Sequence, residues 1–176
     1  MVVCEKDALS NIPSAVTWEY GVPLVPVSGF CAGFIHQVAR RHIDPIDPEI
    51  PLVLYYLGDY DPAGVLIDRD IEAKLREHLR SEGVDNPLAF HRLTITPEQI
   101  AEYDLPTKPR KEGERRAPHI AETVEAEAMD PTILRTMLRD LVESFMPPRA
   151  LEVTRVAEES ERDYLRMLAD LEEDDA

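Results

Sequence analysis

Three acidic residues occupy positions from which a protein could hold a divalent cation. Asp59 and Asp61 lie in segment 58–62 (Gly-Asp-Tyr-Asp-Pro), directly after the most continuous apolar run of the chain, and Glu5 follows the apolar residues 1–4 in the same way. Carboxylate oxygens are the ligands that Mg²⁺ and Mn²⁺ prefer. Three carboxylates close together repel one another without a cation. The pattern therefore predicts a magnesium or manganese site if the two segments converge.

Turn chemistry gives a simpler interpretation of the same residues. An Asp-x-Asp-Pro sequence is typical of a turn, because aspartate side chains accept hydrogen bonds from nearby backbone N–H groups. Glu5 would then only stand at the start of a helix. Spacing alone does not separate this interpretation from the metal site.

The elements that must position these residues alternate between strands and helices. Apolar runs predict strands at 1–4, 23–27, 52–57 and 88–93. Helical spacing and capping residues predict helices at 7–19, from Ser28 onward, at 64–80, from Asp130-Pro131 and at 149–171. This alternation predicts an α/β fold with a mainly parallel sheet of about four strands flanked by helices. Sites in such sheets form at the carboxyl ends of strands, where the acidic residues lie.

Composition divides the chain into three predicted parts. Residues 1–103 form the α/β core, residues 104–118 form a polar, proline-containing basic loop, and residues 119–176 form a helical extension packed on the core. The loop carries the one basic cluster of the sequence, which either contacts a phosphodiester backbone or is simply solvated. Its members are Lys108, Arg110, Lys111, Arg115 and Arg116.

Length, charge and cysteine content limit the class of protein. With 176 residues, 44% of them hydrophobic, the sequence predicts one folded domain and no disordered chain. The sequence contains neither an apolar run of roughly 20 residues nor a secretory signal, which favours a protein without membrane association. Cys4 and Cys31 lack the spacing of a metal site, and two cysteines of this kind favour a cytoplasmic protein. Because the net charge is −16, binding of nucleic acid requires a bound cation or a local basic patch.

Two motifs give the chain a resemblance to the Toprim family. Segment 3–8 (Val-Cys-Glu-Lys-Asp-Ala) resembles the glutamate motif of the topoisomerase VI A subunit and its meiotic double-strand-break relatives. Segment 58–64 (Gly-Asp-Tyr-Asp-Pro-Ala-Gly) is similar to the Asp-x-Asp-Pro-x-Gly motif of the same branch. The resemblance covers about residues 1–95 and, more loosely, segment 105–129, which is similar to bacterial and phage Toprim-like proteins.

The resemblance implies a Rossmann-like Toprim fold and a role for each acidic residue. Asp59 and Asp61 would bind Mg²⁺ or Mn²⁺, and Glu5 would serve as a metal ligand or as the catalytic general acid–base. The metal would neutralise phosphate charge during topoisomerase-like or nuclease-type cleavage of nucleic acid, which is DNA in that branch. Lys6 would approach a phosphate. Alternatively, Lys6 is a solvent-exposed residue of the helix.

The tyrosine chemistry of that branch has no counterpart in the sequence. In topoisomerase VI the nucleophilic tyrosine lies in a separate domain before the Toprim part, whereas this sequence begins at the first predicted Toprim strand. We therefore expect that a covalent tyrosine reaction needs a partner domain or subunit.

Two other functions stay open besides a metal-dependent nuclease. One is a non-catalytic metal-binding or assembly module of a larger DNA-processing complex. The other is a doubly wound phosphoacceptor receiver, which is disfavoured because the acidic pair follows the third strand and not the first.

Overall fold

A parallel four-stranded sheet flanked by helices forms the centre of the molecule. The structure, a computed structural model, describes residues 1–27, 34–44, 46–47, 50–83 and 88–174. The strands of the main sheet are β1 (Val2–Cys4), β2 (Leu24–Pro26), β3 (Leu52–Leu57) and β4 (Leu88–Thr94). They pair in the order β2-β1-β3-β4, and every pair is parallel. The predicted α/β class with a parallel sheet is confirmed, and this topology is compatible with a Rossmann-like fold.

Helices follow the strands as the periodicity predicts. They are α1 (Asp7–Glu19), α2 (Phe34–His42), α3 (Gly64–Ser81), α4 (Pro97–Glu102), α5 (Pro131–Ser144) and α6 (Ala150–Asp174). The apolar positions of α3 recur every four residues and are all buried: Ile67, Ile71, Leu75 and Leu79. Pro13 stands inside α1 without shortening it. The prediction of a helix from Ser28 is confirmed from Phe34 onward, while residues 28–33 lie outside the described residues.

The core fills the space between the sheet and α2 and α3. Val3, Leu54 and Tyr56 from the sheet are each at most 1% exposed, as is Ile71 of α3. The uninterrupted apolar run of β3 is buried on the face of Leu52 and Leu54 and only partly buried on the face of Val53 and Tyr55. Cys4 is also buried, and its thiol is free. Cys31, which was also predicted to be reduced, lies outside the described residues.

The region between α4 and α5 contains short elements that the sequence pattern did not predict. Residues Lys108–Pro109 (β5) pair antiparallel with Glu122–Thr123 (β6), and a single 3-10 turn follows at Ala126–Ala128. Helix α4 was missed as well, although Thr96 and Gln99 form a capping box at its start.

The chain separates into two compact units, Met1–Arg139 and Asp140–Ala176. The first holds the sheet and the acidic residues, and the second holds the end of α5 and all of α6. The packing of the helical extension on the core stays a prediction. No helix within the described ranges is long and apolar enough to cross a membrane.

Strand β2 forms one edge of the main sheet and exposes few hydrogen-bonding groups there. The N–H of Val2 donates to the carbonyl of Pro23, and the N–H of Val27 donates to the carbonyl of Cys4. Because alternate residues of a strand face the same neighbour, Leu24 and Pro26 direct their backbone groups to the open edge. Pro26 has no N–H, so only Leu24 offers a donor on that side of β2.

Candidate functional site

The pairing of β1 with β3 brings Glu5 and Asp59 together. Cys4 is in register with Leu57, and the N–H of Glu5 donates to the carbonyl of Leu57 at 2.8 Å. Beyond this pair, Glu5 Oε2 accepts a hydrogen bond from the backbone N–H of Asp59, two residues after Leu57, at 3.1 Å. The expectation that these residues meet at the carboxyl ends of neighbouring strands is therefore confirmed for Glu5 and Asp59.

The Glu5 carboxylate lies in a close-fitting pocket. Its Oε2 accepts a second hydrogen bond from the Tyr56 hydroxyl at 2.9 Å. A Cβ at Gly58 would lie closer than 3.0 Å both to Glu5 Oε2 and to the Tyr56 side chain, so a larger residue here would displace these two side chains. Burial raises the pKa of Glu5, and the charges of Asp59 and Asp61 add to this effect against the opposing hydrogen bond from Tyr56. Burial and the neighbouring Glu5 also raise the pKa of Tyr56.

Both carboxylate oxygens of Asp59 have partners. The Asp59 side chain is nearly buried, and its Oδ1 accepts a hydrogen bond from the N–H of Ala126 at 2.9 Å. Its Oδ2 forms an ion pair with Lys6 Nζ at 2.9 Å. The same ammonium lies 3.4 Å from Glu127 Oε2. Lys6 thus supplies the positive charge that the acidic residues require.

Asp61 fixes the start of α3. Its Oδ1 accepts hydrogen bonds from the N–H groups of Ala63 at 2.9 Å and Gly64 at 2.6 Å. A Cβ at Gly64 would lie closer than 3.0 Å to the backbone oxygen of Asp59, so the helix begins directly against the acidic turn. The turn interpretation of Asp-x-Asp-Pro is therefore correct for Asp61, and it coexists with the convergence of Glu5 and Asp59.

Arg92 of β4 holds the acidic turn in place, and no sequence pattern pointed to it. The guanidinium lies 5.4 Å from the centre of the Tyr56 ring. It donates to the carbonyl oxygens of Ile95 (2.8 Å), Gly58 (3.3 Å), Gly64 (3.3 Å) and Asp59, and to Asp68 Oδ2 (2.6 Å). One side chain thereby joins the end of β3 to the first two turns of α3.

Segment 122–128 folds back onto the acidic turn. Tyr60 and Val124 exchange backbone hydrogen bonds of 2.8 and 2.9 Å, and the N–H of Ala126 contacts Asp59. Glu127 thereby reaches Lys6, whereas Glu125 forms an ion pair with Lys108 at 3.0 Å. The site is therefore built from two strand ends and this distant segment.

The basic residues predicted to bind nucleic acid have different surroundings. The Arg110 guanidinium donates to the backbone carbonyls of residues 114, 116, 118 and 120, so it holds the loop together. Arg116 is paired with Glu114, which raises its pKa, and the charge of Asp61 adds to that effect. Lys111 and Arg115 are exposed. Of this cluster, Lys111 and Arg115 are the residues best placed to meet a phosphate.

The donor set suits a hard cation, but the carboxylates are not arranged around one. Within the described ranges, no group of three or more His, Cys, Asp or Glu side chains has a metal-holding arrangement. Glu5 Oε1 and Asp61 Oδ2 accept no hydrogen bond from any described residue. Oxygen ligands are thus present on both strand ends, and Lys6 must release Asp59 before that carboxylate can bind a metal.

Replacing Glu5 by glutamine is expected to remove a pH dependence of stability. Because the folded state raises the pKa of Glu5 above its ordinary value of 4.5, the folded protein keeps this proton to higher pH than the unfolded chain. The resulting stability is complete below the ordinary pKa and is lost as the pH rises through the raised one. Urea unfolding with a chelator present, at a series of pH values, should show wild type losing stability relative to Glu5→Gln across this window. If the stability of wild type and of Glu5→Gln changed with pH in the same way, the raised pKa of Glu5 would be contradicted. The exposed Glu102→Gln is the control.

The site combines carboxylates, one ammonium group and a backbone turn held by Arg92. Carboxylate oxygens offer ligands to a hard cation, and the ammonium offers a partner to a phosphate oxygen. No protein-family model, no curated protein and no solved structure matches the chain.

Proposed function

We propose that the chain is a Toprim-type, magnesium-dependent protein that acts on nucleic acid phosphodiesters, with DNA as the expected substrate and strand cleavage as the chemistry. The observation that supports this most is the hydrogen bond between Glu5 and the backbone of Asp59. It joins the two motifs of the family resemblance at the carboxyl ends of adjacent parallel strands. Sites in open parallel sheets form at this edge.

The metal would be held by Asp59, Asp61 and Glu5. When bound, Mg²⁺ or Mn²⁺ would neutralise the phosphate and stabilise the charge that develops on oxygen at phosphorus. Lys6 forms an ion pair with Asp59. On release it lies beside the same carboxylates, from where its ammonium can pair with a phosphate oxygen.

Glu5 would move the proton in this reaction when it is not itself a metal ligand, because a carboxylate that binds a metal ion is held deprotonated. The carboxyl group accepts a hydrogen bond from Tyr56 and has a raised pKa because it is buried. A carboxyl group with a raised pKa holds a proton closer to neutral pH than an exposed glutamate does, which suits a general acid–base.

A local basic surface would have to guide the substrate, because the chain carries a net charge of −16. Lys111 and Arg115 of the loop are exposed, and the pKa of Glu125 is lowered by Lys108 first and by Lys6 and Lys111 further. The loop and the acidic turn therefore share one electrostatic environment. A phosphodiester backbone could contact the loop cations while one phosphate lies at the acidic residues.

A second candidate function is an assembly module that requires a partner with a nucleophilic tyrosine. Tyr56 is the tyrosine in contact with Glu5, and it is fully buried and donates its hydroxyl to that carboxylate. Its raised pKa opposes formation of the nucleophilic phenolate. Within the described residues, Lys6 already satisfies Asp59, so this candidate needs no metal for folding.

The decisive experiment combines metal binding with DNA cleavage. Wild type, Asp61→Asn and the exposed control Glu102→Gln are titrated with Mg²⁺ and Mn²⁺ in thermal unfolding, and then incubated with supercoiled and single-stranded DNA. We expect wild type and Glu102→Gln to gain stability and to cleave DNA, and Asp61→Asn to do neither. Metal stabilisation without cleavage would favour the assembly module. Equal stabilisation of wild type and Asp61→Asn would contradict the proposed site.

A further inference from the structure

Two imidazole rings meet between α2 and α3, away from the acidic turn. His36 of α2 and His78 of α3 lie with their Nδ1 atoms 3.2 Å apart. His78 is 2% exposed, and its other ring nitrogen, Nε2, lies 3.0 Å from Asp44 Oδ1. The proposed function uses none of these three residues.

The carboxylate of Asp44 determines which nitrogen of His78 is free. A carboxylate only accepts hydrogen bonds, so His78 Nε2 must carry the proton in this contact. The Nδ1 atom of neutral His78 therefore presents a lone pair to His36. In this arrangement His36 Nδ1–H donates to that lone pair. The proton between the two rings is the single group that a cation would have to replace.

The separation of the two nitrogens is close to that of two ligands on one tetrahedral ion. Zinc–nitrogen bonds of about 2.0–2.1 Å place neighbouring imidazole nitrogens roughly 3.3 Å apart. A carboxylate on the far nitrogen of a ligating histidine is also the usual outer partner in zinc sites, because it fixes the tautomer and the direction of the ring. Asp44 has this relation to His78.

We propose that His36 and His78 form a two-histidine site for a borderline transition-metal ion, with Zn²⁺ as the expected occupant and Asp44 as the positioning residue. The proton on His36 Nδ1 moves to its Nε2 when both Nδ1 atoms bind the ion, so binding to the neutral pair releases no net proton. No group of three His, Cys, Asp or Glu ligands occurs in the described parts of the chain. The two imidazoles would therefore supply two of the ligands of the ion.

The two sites differ in the kind of cation they take. Imidazole nitrogen favours Zn²⁺, Co²⁺, Ni²⁺ and Cu²⁺, whereas an all-carboxylate site favours Mg²⁺. The histidine site does not rest on the proposed function, because its residues lie on α2, α3 and the turn after α2. Its ion would join α2 to α3, and it requires neutral imidazoles, so its affinity should fall in acid.

The test uses Zn²⁺ affinity by calorimetry and the visible absorption of Co²⁺, which reports nitrogen ligation in a tetrahedral field. We expect wild type to bind one Zn²⁺ at this site. His36→Gln should lower the affinity at least about tenfold, and Asp44→Asn about tenfold. His91 is exposed and stacks on Tyr55, so His91→Gln is the matched control and should leave the affinity unchanged.

The double variant Asp59→Asn/Asp61→Asn distinguishes this site from the acidic turn. This double variant should keep the wild-type Zn²⁺ affinity and the wild-type Co²⁺ spectrum, even if its Mn²⁺ affinity changes. The proposal is overturned if wild type binds no Zn²⁺, if His36→Gln and His91→Gln behave alike, or if the double variant alone abolishes binding. His36 is the residue changed because it is only half-buried, and circular dichroism verifies that the variant is folded.

Discussion

Replacement of Gly64 by alanine is expected to lower the free energy of unfolding by about 2 kcal/mol and to weaken metal binding at the same time. The new Cβ would lie closer than 3.0 Å to the backbone oxygen of Asp59, and a backbone atom cannot move aside as a flexible side chain can. Overpacking of this kind lowers the free energy of unfolding by up to about 3 kcal/mol, and the better helix propensity of alanine offsets only about 1 kcal/mol of this loss. Relief of the contact moves α3 away from Asp59 and disturbs the hydrogen bond from Gly64 to Asp61. Urea unfolding and Mn²⁺ titration of the variant measure the two effects.

Gly113→Ala is the control for the loss of a glycine. Gly113 has a φ of +80°, and a Cβ at this position would meet no described atom within 4 Å, so its replacement costs backbone strain alone. That strain is about 1–2 kcal/mol and does not touch the acidic turn. Metal binding should therefore stay at the wild-type level in Gly113→Ala. If both variants kept wild-type metal affinity, the tight approach of α3 to Asp59 would not matter for the site.

Lys6→Met and Asp59→Asn are expected to change metal affinity in opposite directions. Lys6 Nζ lies 2.9 Å from Asp59 Oδ2, so under the proposed function an ammonium and a metal ion would compete for the same oxygen. Removing the ammonium should raise Mn²⁺ affinity about tenfold, which corresponds to about 1.4 kcal/mol. This lies just below the range of about 1.5–3 kcal/mol for a hydrogen bond to a charged group, because the Lys6 side chain is partly exposed. Asp59→Asn removes a ligand charge and should lower the affinity about a hundredfold, while its amide oxygen can still accept the hydrogen bond from Ala126. Isothermal titration with Mn²⁺ measures both changes.

DNA cleavage separates two roles of Lys6 in this pair of variants. If Lys6 also pairs with a phosphate, Lys6→Met binds Mn²⁺ more tightly yet cleaves more slowly than wild type. Lys74→Met is the control, because Lys74 forms an ion pair with Asp70 on α3. Weaker Mn²⁺ binding in Lys6→Met than in Lys74→Met would contradict competition between the ammonium and the metal.

The sequence was sufficient to predict that Glu5 and Asp59 follow strands, while their convergence was predicted only on the condition that these strands are neighbours. Two apolar runs, each ending in an acidic residue, predict strands whose carboxyl ends lie at one edge of a parallel sheet. The adjacency of β1 and β3 then brings the two residues into hydrogen-bond contact. Helix α3 was equally predictable, because four apolar residues at a spacing of four define a buried face.

The partners of the acidic turn could not be predicted, since they come from distant parts of the chain. Arg92 is a single arginine in a strand, and nothing in its neighbours indicates that its guanidinium reaches the turn after β3. The ion pair of Lys6 depends on a rotamer that brings its ammonium to Asp59, while the helix pattern predicts only exposure. Segment 122–128 contacts the site through backbone hydrogen bonds, which carry no side-chain signature, and through the ion pair of Glu127 with Lys6.

The shortage of backbone donors on β2 has a consequence for how the protein behaves at high concentration. An uncovered strand edge is a template on which a second chain can polymerise, and long flat edges of this kind lead to insoluble aggregates. On the outer side of β2, Pro26 interrupts the row of N–H groups beside Leu24. A foreign strand would therefore find a single N–H donor along β2, which weakens pairing at this edge.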